Sequence, residues 1–228
     1  MSGLDGLGDV SVDRTPAPEQ IAAVLRERII GGDLAPGTPL TETRLAAAFS
    51  VSRNTVREAL ALLSRDGITT QNSYRGVAVS VMTEDDVHDI FRLRRMFELP
   101  AVDAALGAGD RLTDLGDRVG ALRALDPNSD WRDIVESDLA FHRTLVGMLD
   151  SPRLGRLYDQ MLTELRLCIL IANVDDHESL ESLTAQHEEL YELLRNGDGE
   201  ACKAVLARHL EDAEAALIAR FSAAAVGA

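Results

Sequence analysis

Four side chains in the C-terminal half of this 228-residue chain have the types and spacing of metal ligands. Asp138 and His142 lie four residues apart, so on a helix they share one face. His187 and His209 each stand eleven residues from Asp198, which falls within an Asn196-Gly-Asp-Gly199 turn. In an antiparallel helical hairpin, residues equidistant from the turn stand at the same height. His142 lies nine residues before Ser151 in the preceding turn. At about 1.5 Å per residue, all three imidazoles fall within roughly one helical turn of each other. Imidazoles and a carboxylate converging inside a bundle describe a divalent transition-metal site. Leu139, Leu145, Leu190, Leu194, Val205 and Leu206 supply an apolar surround. A histidine on a helix is ordinarily a surface or satisfied core residue, and His88 and His177 are read that way; three at a common height are much harder to obtain by chance.

A second constellation lies near the N-terminus. Arg53, Asn54, Thr55 and Arg57 follow a Ser50-Val-Ser52 turn and open a helix that Ser52 can cap. Two guanidiniums suit guanine O6/N7, an amide suits adenine, and a hydroxyl suits phosphate or base. An exposed helix whose arginines solvate it and pair with Glu58 has the same pattern.

The elements that must position these groups follow from hydrophobic period and turn residues. Residues 1–17, rich in Gly, Asp and Pro, read as a disordered lead. A helix carries Ile21, Val24, Leu25 and Ile29 and stops at Gly31-Gly32; Asp33–Pro39 is a turn-rich connector. A short helix from about Thr41 and the helix Arg53 to about Arg65 flank the tight turn. Ile68-Thr-Thr70 and the alternating Val77, Val79 and Val81 read as a β-hairpin with Ser73-Tyr-Arg-Gly76 at its tip. Helix, helix, turn, helix, ribbon is the order of a winged helix-turn-helix, whose second turn-flanking helix enters the major groove while the hairpin tip lies along the minor groove or backbone. From Thr83 the pattern is helical throughout: a long helix to about Leu106, then segments near 111–125, 131–149, 153–173, 179–196 and 199–221, separated by short breaks. The fold expected is mainly α, a winged helix-turn-helix over 18–81 followed by an antiparallel all-α bundle over 82–223.

Composition sharpens this division. The formal charge is −15, with 23 Lys+Arg against 38 Asp+Glu. Such a value argues, taken whole, against nucleic-acid binding. By region, residues 18–80 carry +1 and residues 81–228 carry −14. The acidity belongs to the bundle and leaves a near-neutral reading head. Cys168 and Cys202 read as buried free thiols in a reducing cytoplasm. No apolar stretch reaches the length of a membrane span, and the first residues lack a secretory pattern.

The run Leu45-Ala-Ala-Ala-Phe-Ser-Val-Ser-Arg-Asn-Thr-Val-Arg-Glu-Ala-Leu60, with Asp66-Gly67 and Arg75-Gly76, resembles the DNA-binding domain of GntR-family transcription regulators over residues 18–81. The resemblance implies that Arg53 and Arg57 read bases, Asn54 and Thr55 support them, Arg44 meets the DNA backbone, and Arg75 and Gly76 belong to the wing. Ser50 departs from the glycine usual in that turn, where a left-handed backbone strains a side chain. Independently, Asp138-x-x-x-His142, Gln186-His187, Gly197-Asp198 and His209 resemble the FCD ligand-sensing domain of the FadR-like subgroup over residues 84–221. That implies bound Zn²⁺ or Ni²⁺ with open positions for a small carboxylate effector. It also implies an Arg94 that reaches the pocket, with Arg166 a weaker candidate; otherwise these arginines close surface pairs with Glu98 or Glu164. A divalent ion with one carboxylate leaves about +1, to which an arginine adds.

The function expected is that of a cytoplasmic homodimeric transcription regulator, not an enzyme, binding pseudo-palindromic double-stranded operator DNA under control of the carboxylate. A metalloenzyme acting on a small organic acid would use the same His₃Asp set, yet no general base stands beside it. A regulator for which the metal itself is the signal is the third possibility.

Overall fold

In the computed structural model the described residues are 17–72, 76–126, 129–172 and 180–226. The chain divides into two compact units. The first comprises Met1–Thr83 with Thr163–Ile171, and the second Glu84–Leu162 with Ala172–Ala228. The sequence reading placed Thr163–Ile171 with the rest of 82–223 in the bundle.

In the first unit, α1 (Ala17–Ile30), α2 (Glu42–Phe49) and α3 (Arg53–Arg65) precede a hairpin of β1 (Thr69–Asn72) and β2 (Gly76–Val79). Ala17, expected in the disordered lead, is the first residue of α1, where Pro18 is tolerated because first-turn N–H groups have no intrahelical partner. The apolar faces of α1 (Ile21, Leu25, Ile29) and α3 (Val56, Leu60, Leu63) bury against one another with Leu45, Ile68 and Val79. Leu167 joins that core. The strands pair antiparallel with Thr69 opposite Val79 and Asn72 opposite Gly76. Val81, expected to continue the alternation, lies past β2 and is exposed. The connector holds more structure than its turn residues suggested: Leu40 N donates to Val77 O (2.8 Å) and Val79 N to Thr38 O (3.0 Å). It thus covers the outer edge of β2, which would otherwise present unpaired backbone groups.

The α2–α3 turn forms as expected. Ser50 adopts φ 55°, ψ 39°, and its neighbour Val51 donates to Ala46 O at 3.0 Å. A left-handed conformation costs a residue with a Cβ about 1–2 kcal/mol. Ser50→Gly is therefore expected to raise the unfolding free energy by about 1 kcal/mol, the relief being partly offset by the added freedom of the unfolded chain. Chemical denaturation measures it; an unchanged or lower stability would show that Ser50 is unstrained.

The second unit contains α4 (Glu84–Leu106), a 3₁₀ turn at Gly109–Arg111, α5 (Leu112–Arg123), α6 (Trp131–Gly147), the first half of α7 (Pro152–Ile171), α8 (Leu180–Arg195) and α9 (Gly199–Val226). α4 packs on α6, α8 and α9, and α5 packs on α6 and α8. The α8–α9 hairpin is closed by local chemistry that sets its register. Gly197 takes φ 77°, Gly197 N donates to Leu194 O (3.1 Å), and Asp198 N donates to Leu193 O (2.9 Å). That pairing is a Schellman stop, which uses the carbonyls orphaned at the helix end. Asp198 Oδ1 then accepts from Ala201 N at 3.2 Å and caps α9. His88 lies on α4 and meets Glu214 of α9 through Nδ1 at 2.7 Å, which is the structural role expected of it. Cys168 and Cys202 are free and buried.

Candidate functional site

The predicted ligands converge. Asp138, His142, His187 and His209 each offer one atom to a group whose members all lie within 4.8 Å of one another. α6 supplies Asp138 and His142 one turn apart, α8 supplies His187 and α9 supplies His209. All three rings are buried. Centroid separations of 5.1–5.2 Å place the imidazoles at one height, as the turn arithmetic requires. Phe141 stands edge-on to His187 at 4.7 Å and closes the apolar side.

Hydrogen bonding behind the rings fixes what they present in front. His142 Nδ1 meets Glu98 Oε2 at 2.6 Å, His187 Nδ1 meets Leu183 O at 2.8 Å, and His209 Nδ1 meets Gln186 Oε1 at 2.6 Å. Each of these oxygens accepts, so each Nδ1 carries the hydrogen, and a ring in its neutral form turns Nε2 forward as a lone pair. The three Nε2 atoms face one another. His142 Nε2 lies 3.2 Å from His209 Nε2, and His187 Nε2 lies 3.1 Å from Asp138 Oδ1. Both atoms of the latter pair are buried without a partner that meets hydrogen-bond geometry. Burial and the neighbouring His142 push His209 down to about 3, so it is neutral at physiological pH. Burial would lower His142 as well, but the charge of Glu98 outweighs it and the net shift is upward, so a metal at its Nε2 would displace a proton. Three neutral imidazoles and an anionic oxygen so grouped could hold a metal ion, with the acceptors behind the rings in the role of partners that orient metal-bound histidines.

Glu98 is the group that sequence reasoning missed. It is wholly buried and accepts from Arg94 Nε (2.7 Å) and Tyr158 OH (2.7 Å) besides His142. The only signal was its position, one turn after Arg94. Arg94 is indeed paired with Glu98, but the pair is buried and not on the surface. This corrects the charge balance: Glu98 cancels Arg94, so a divalent ion with Asp138 and neutral imidazoles leaves the site near +1. Arg94 keeps one nitrogen, Nη2, buried and without a partner. Arg166, the weaker effector candidate, is on α7. It lies eight residues beyond Tyr158, about 12 Å along the axis, in the stretch grouped with the first unit.

On the first unit, Arg53, Asn54 and Arg57 are exposed at the start of α3, and Thr55 is half-buried. Ser52 Oγ accepts from Thr55 N at 3.1 Å and caps the helix. Asn54 Nδ2 donates to Glu58 Oε1 at 2.8 Å. The arginines are held by Glu42 of α2, not by Glu58. Arg44 and Gly76 are exposed nearby in sequence terms, on α2 and at the start of β2. Arg75, Ser73, Tyr74 and His177 lie outside the described residues.

A winged helix-turn-helix joined to an all-helical bundle is the architecture of a class of transcription regulators. Residues 17–79 match the gntR family of bacterial regulatory proteins, and residues 89–212 match the FCD domain. The chain belongs to the GntR family of transcription regulators, in its FadR-like subgroup with a C-terminal FCD domain. It is similar to a GntR protein of Rhodococcus sp. RHA1, with 31% identity and a TM-score of 0.78 over 90% of this chain and 99% of that one. The HTH-type transcriptional regulator YdhC of Bacillus subtilis is 28% identical over 91% of this chain and 95% of its own length. The gluconate operon transcriptional repressor of Bacillus licheniformis is 24% identical over 89% of this chain and 86% of its own. These relatives are named as regulators, which supports a regulator and not an enzyme. Among the described residues no helix is long and apolar enough to cross a membrane.

Proposed function

We propose that Asp138, His142, His187 and His209 hold a divalent transition metal, Zn²⁺ or Ni²⁺, and that a small carboxylate binding beside it controls operator affinity. The observation that carries this is the contact pattern: every imidazole has an oxygen against its Nδ1 and turns Nε2 toward the cluster with Asp138. The metal would supply Lewis acidity that captures a carboxylate oxygen. Arg94, whose Nη2 is buried without a partner, would take a second oxygen. A site near +1 favours an effector whose charge one carboxylate accounts for. The DNA-reading residues are Arg53, Asn54, Thr55 and Arg57, with Arg44, Arg75 and Gly76 toward the sugar-phosphate backbone. The protein acts in the cytoplasm as a homodimer on a pseudo-palindromic site, because two recognition helices engage half-sites one DNA turn apart. The effector shifts binding only by favouring one arrangement of the protein over another.

Thermal unfolding of chelator-stripped protein tests this. Adding Zn²⁺ or Ni²⁺ is expected to raise the Tm, and small organic acids to raise it again only with metal present. A ligand at a hundredfold excess over its Kd contributes about 2.7 kcal/mol. Absence of a metal-dependent shift sinks the metal site. Operator binding that responds fully to metal, with no acid of the panel adding a shift, makes the metal itself the signal.

A further inference from the structure

We infer that Glu42 determines specificity at the DNA interface by clamping Arg57 so that the outer edge of its guanidinium is presented to guanine. The inference rests on the assignment of α3 as the reading helix. Glu42 stands in the first turn of α2 and reaches across to α3. Its Oε1 accepts from Arg57 Nε and its Oε2 from Arg57 Nη2, both at 2.9 Å. The same Oε2 accepts from Arg53 Nη2 at 3.3 Å.

A guanidinium has five N–H groups in a rigid plane. The side-on grip by Glu42 uses Nε–H and one hydrogen of Nη2. What remains is the end-on fork, Nη1 with the other hydrogen of Nη2, which is the pair that matches guanine O6 and N7. Arg57 is 60% exposed while Glu42 is 25% exposed. The carboxylate therefore stands behind and the free fork in front. Hydrogen bonding to Arg57 also holds the Glu42 carboxyl below its usual range, so it is ionised when it grips. Glu42, Arg53 and Arg57 line a groove with Gln71 and Gly76 of the hairpin, which places the clamp within the surface bounded by reading helix and wing.

Two consequences of opposite sign follow. Fixing a long side chain before binding removes an ordering cost and aims the fork, which favours guanine. A carboxylate beside two arginines lowers the local positive charge, which weakens sequence-independent attraction to phosphates. Both raise the ratio of specific to non-specific binding. A residue that merely supported the fold would move the two affinities together.

The test is selection from a randomised double-stranded DNA pool by the full-length, metal-loaded protein, followed by affinity measurement on the enriched site and on a scrambled duplex. Wild type is expected to enrich a motif with a guanine whose preference R57A loses. E42Q, which keeps the side chain's shape, is expected to relax that same guanine preference at least tenfold while affinity for the scrambled duplex rises. R57K, which keeps the charge and loses the fork, should relax it too. Thermal unfolding of E42Q at the wild-type Tm excludes misfolding. An undiminished guanine preference in E42Q overturns the inference. So does an equal change in both affinities, or a gain in specific affinity, which would make Glu42 a lock on the arginines. Wild-type protein that enriches no motif overturns the reading role of α3 instead.

Discussion

Replacing Glu98 with alanine is expected to lower the unfolding free energy by about 3–5 kcal/mol, the range for removing one partner of a buried ion pair. Its carboxylate is wholly buried and serves three donors: Arg94 Nε, Tyr158 OH and His142 Nδ1. Without it Arg94 is a buried cation whose Nη2 already lacks a partner. Burial alone would raise the Glu98 pKa, but the charges of Arg94 and His142 outweigh burial and hold it well below the usual range. A carboxylate so depressed stabilises the fold fully above its unfolded pKa of about 4.3, and that contribution declines as the pH falls below it. Urea denaturation near neutral pH reads the loss. The second consequence is at the metal site, where His142 loses the acceptor that fixes its tautomer. Loss of such a partner weakens metal binding by about 10- to 100-fold, measurable by competition with a chromophoric chelator. A loss of stability below about 1 kcal/mol would mean that Arg94 reaches solvent when Glu98 is gone.

The double substitution Arg53→Ala with Arg57→Ala is expected to reduce affinity for the enriched operator by about 10²- to 10⁴-fold, since each bidentate base contact is worth about 1–3 kcal/mol. Affinity for random-sequence DNA should fall far less. Arg44→Ala gives the contrasting result. A backbone contact carries no sequence information, so binding weakens evenly across sequences and the salt slope drops by about 0.9. Fluorescence anisotropy at several salt concentrations separates the two. Sequence-specific binding that survives the double substitution would remove α3 from the reading role.

Much of this was legible in the chain because it depends on periods and turns. The apolar face of α3 follows the 3.6-residue period, and Val56, Leu60 and Leu63 are buried as that period requires. His187 and His209 meet because both count eleven residues to Asp198, and Gly197 with Asp198 make the turn that turns the count into a register. Asp138 follows from its one-turn offset from His142. The charge of −15, unhelpful as a total, became informative once it was divided by region. Other features escaped because the decisive partner was remote in sequence. The strand-like pairing of Thr38 and Leu40 with β2 looked like a connector, since Gly37 and Pro39 mark turns locally and only β2 gives the backbone something to bond.

The sequence by itself determined the candidate ligand set, the helix-turn-helix and the family, because side-chain type, spacing and turn chemistry are local properties. Only the tertiary structure decided which groups govern those ligands. Glu98 lies 44 residues from His142, and Glu42 lies 15 from Arg57. An acidic residue one turn from an arginine, or at the start of a short helix, is ordinary in a chain with 38 of them. Packing alone selects Glu98 as the anion that must be buried and neutralised, and Glu42 as the one that grips two arginines. The reason is physical: the strength of a charge interaction depends on distance in space and on exclusion of water, and neither is written in the order of the residues.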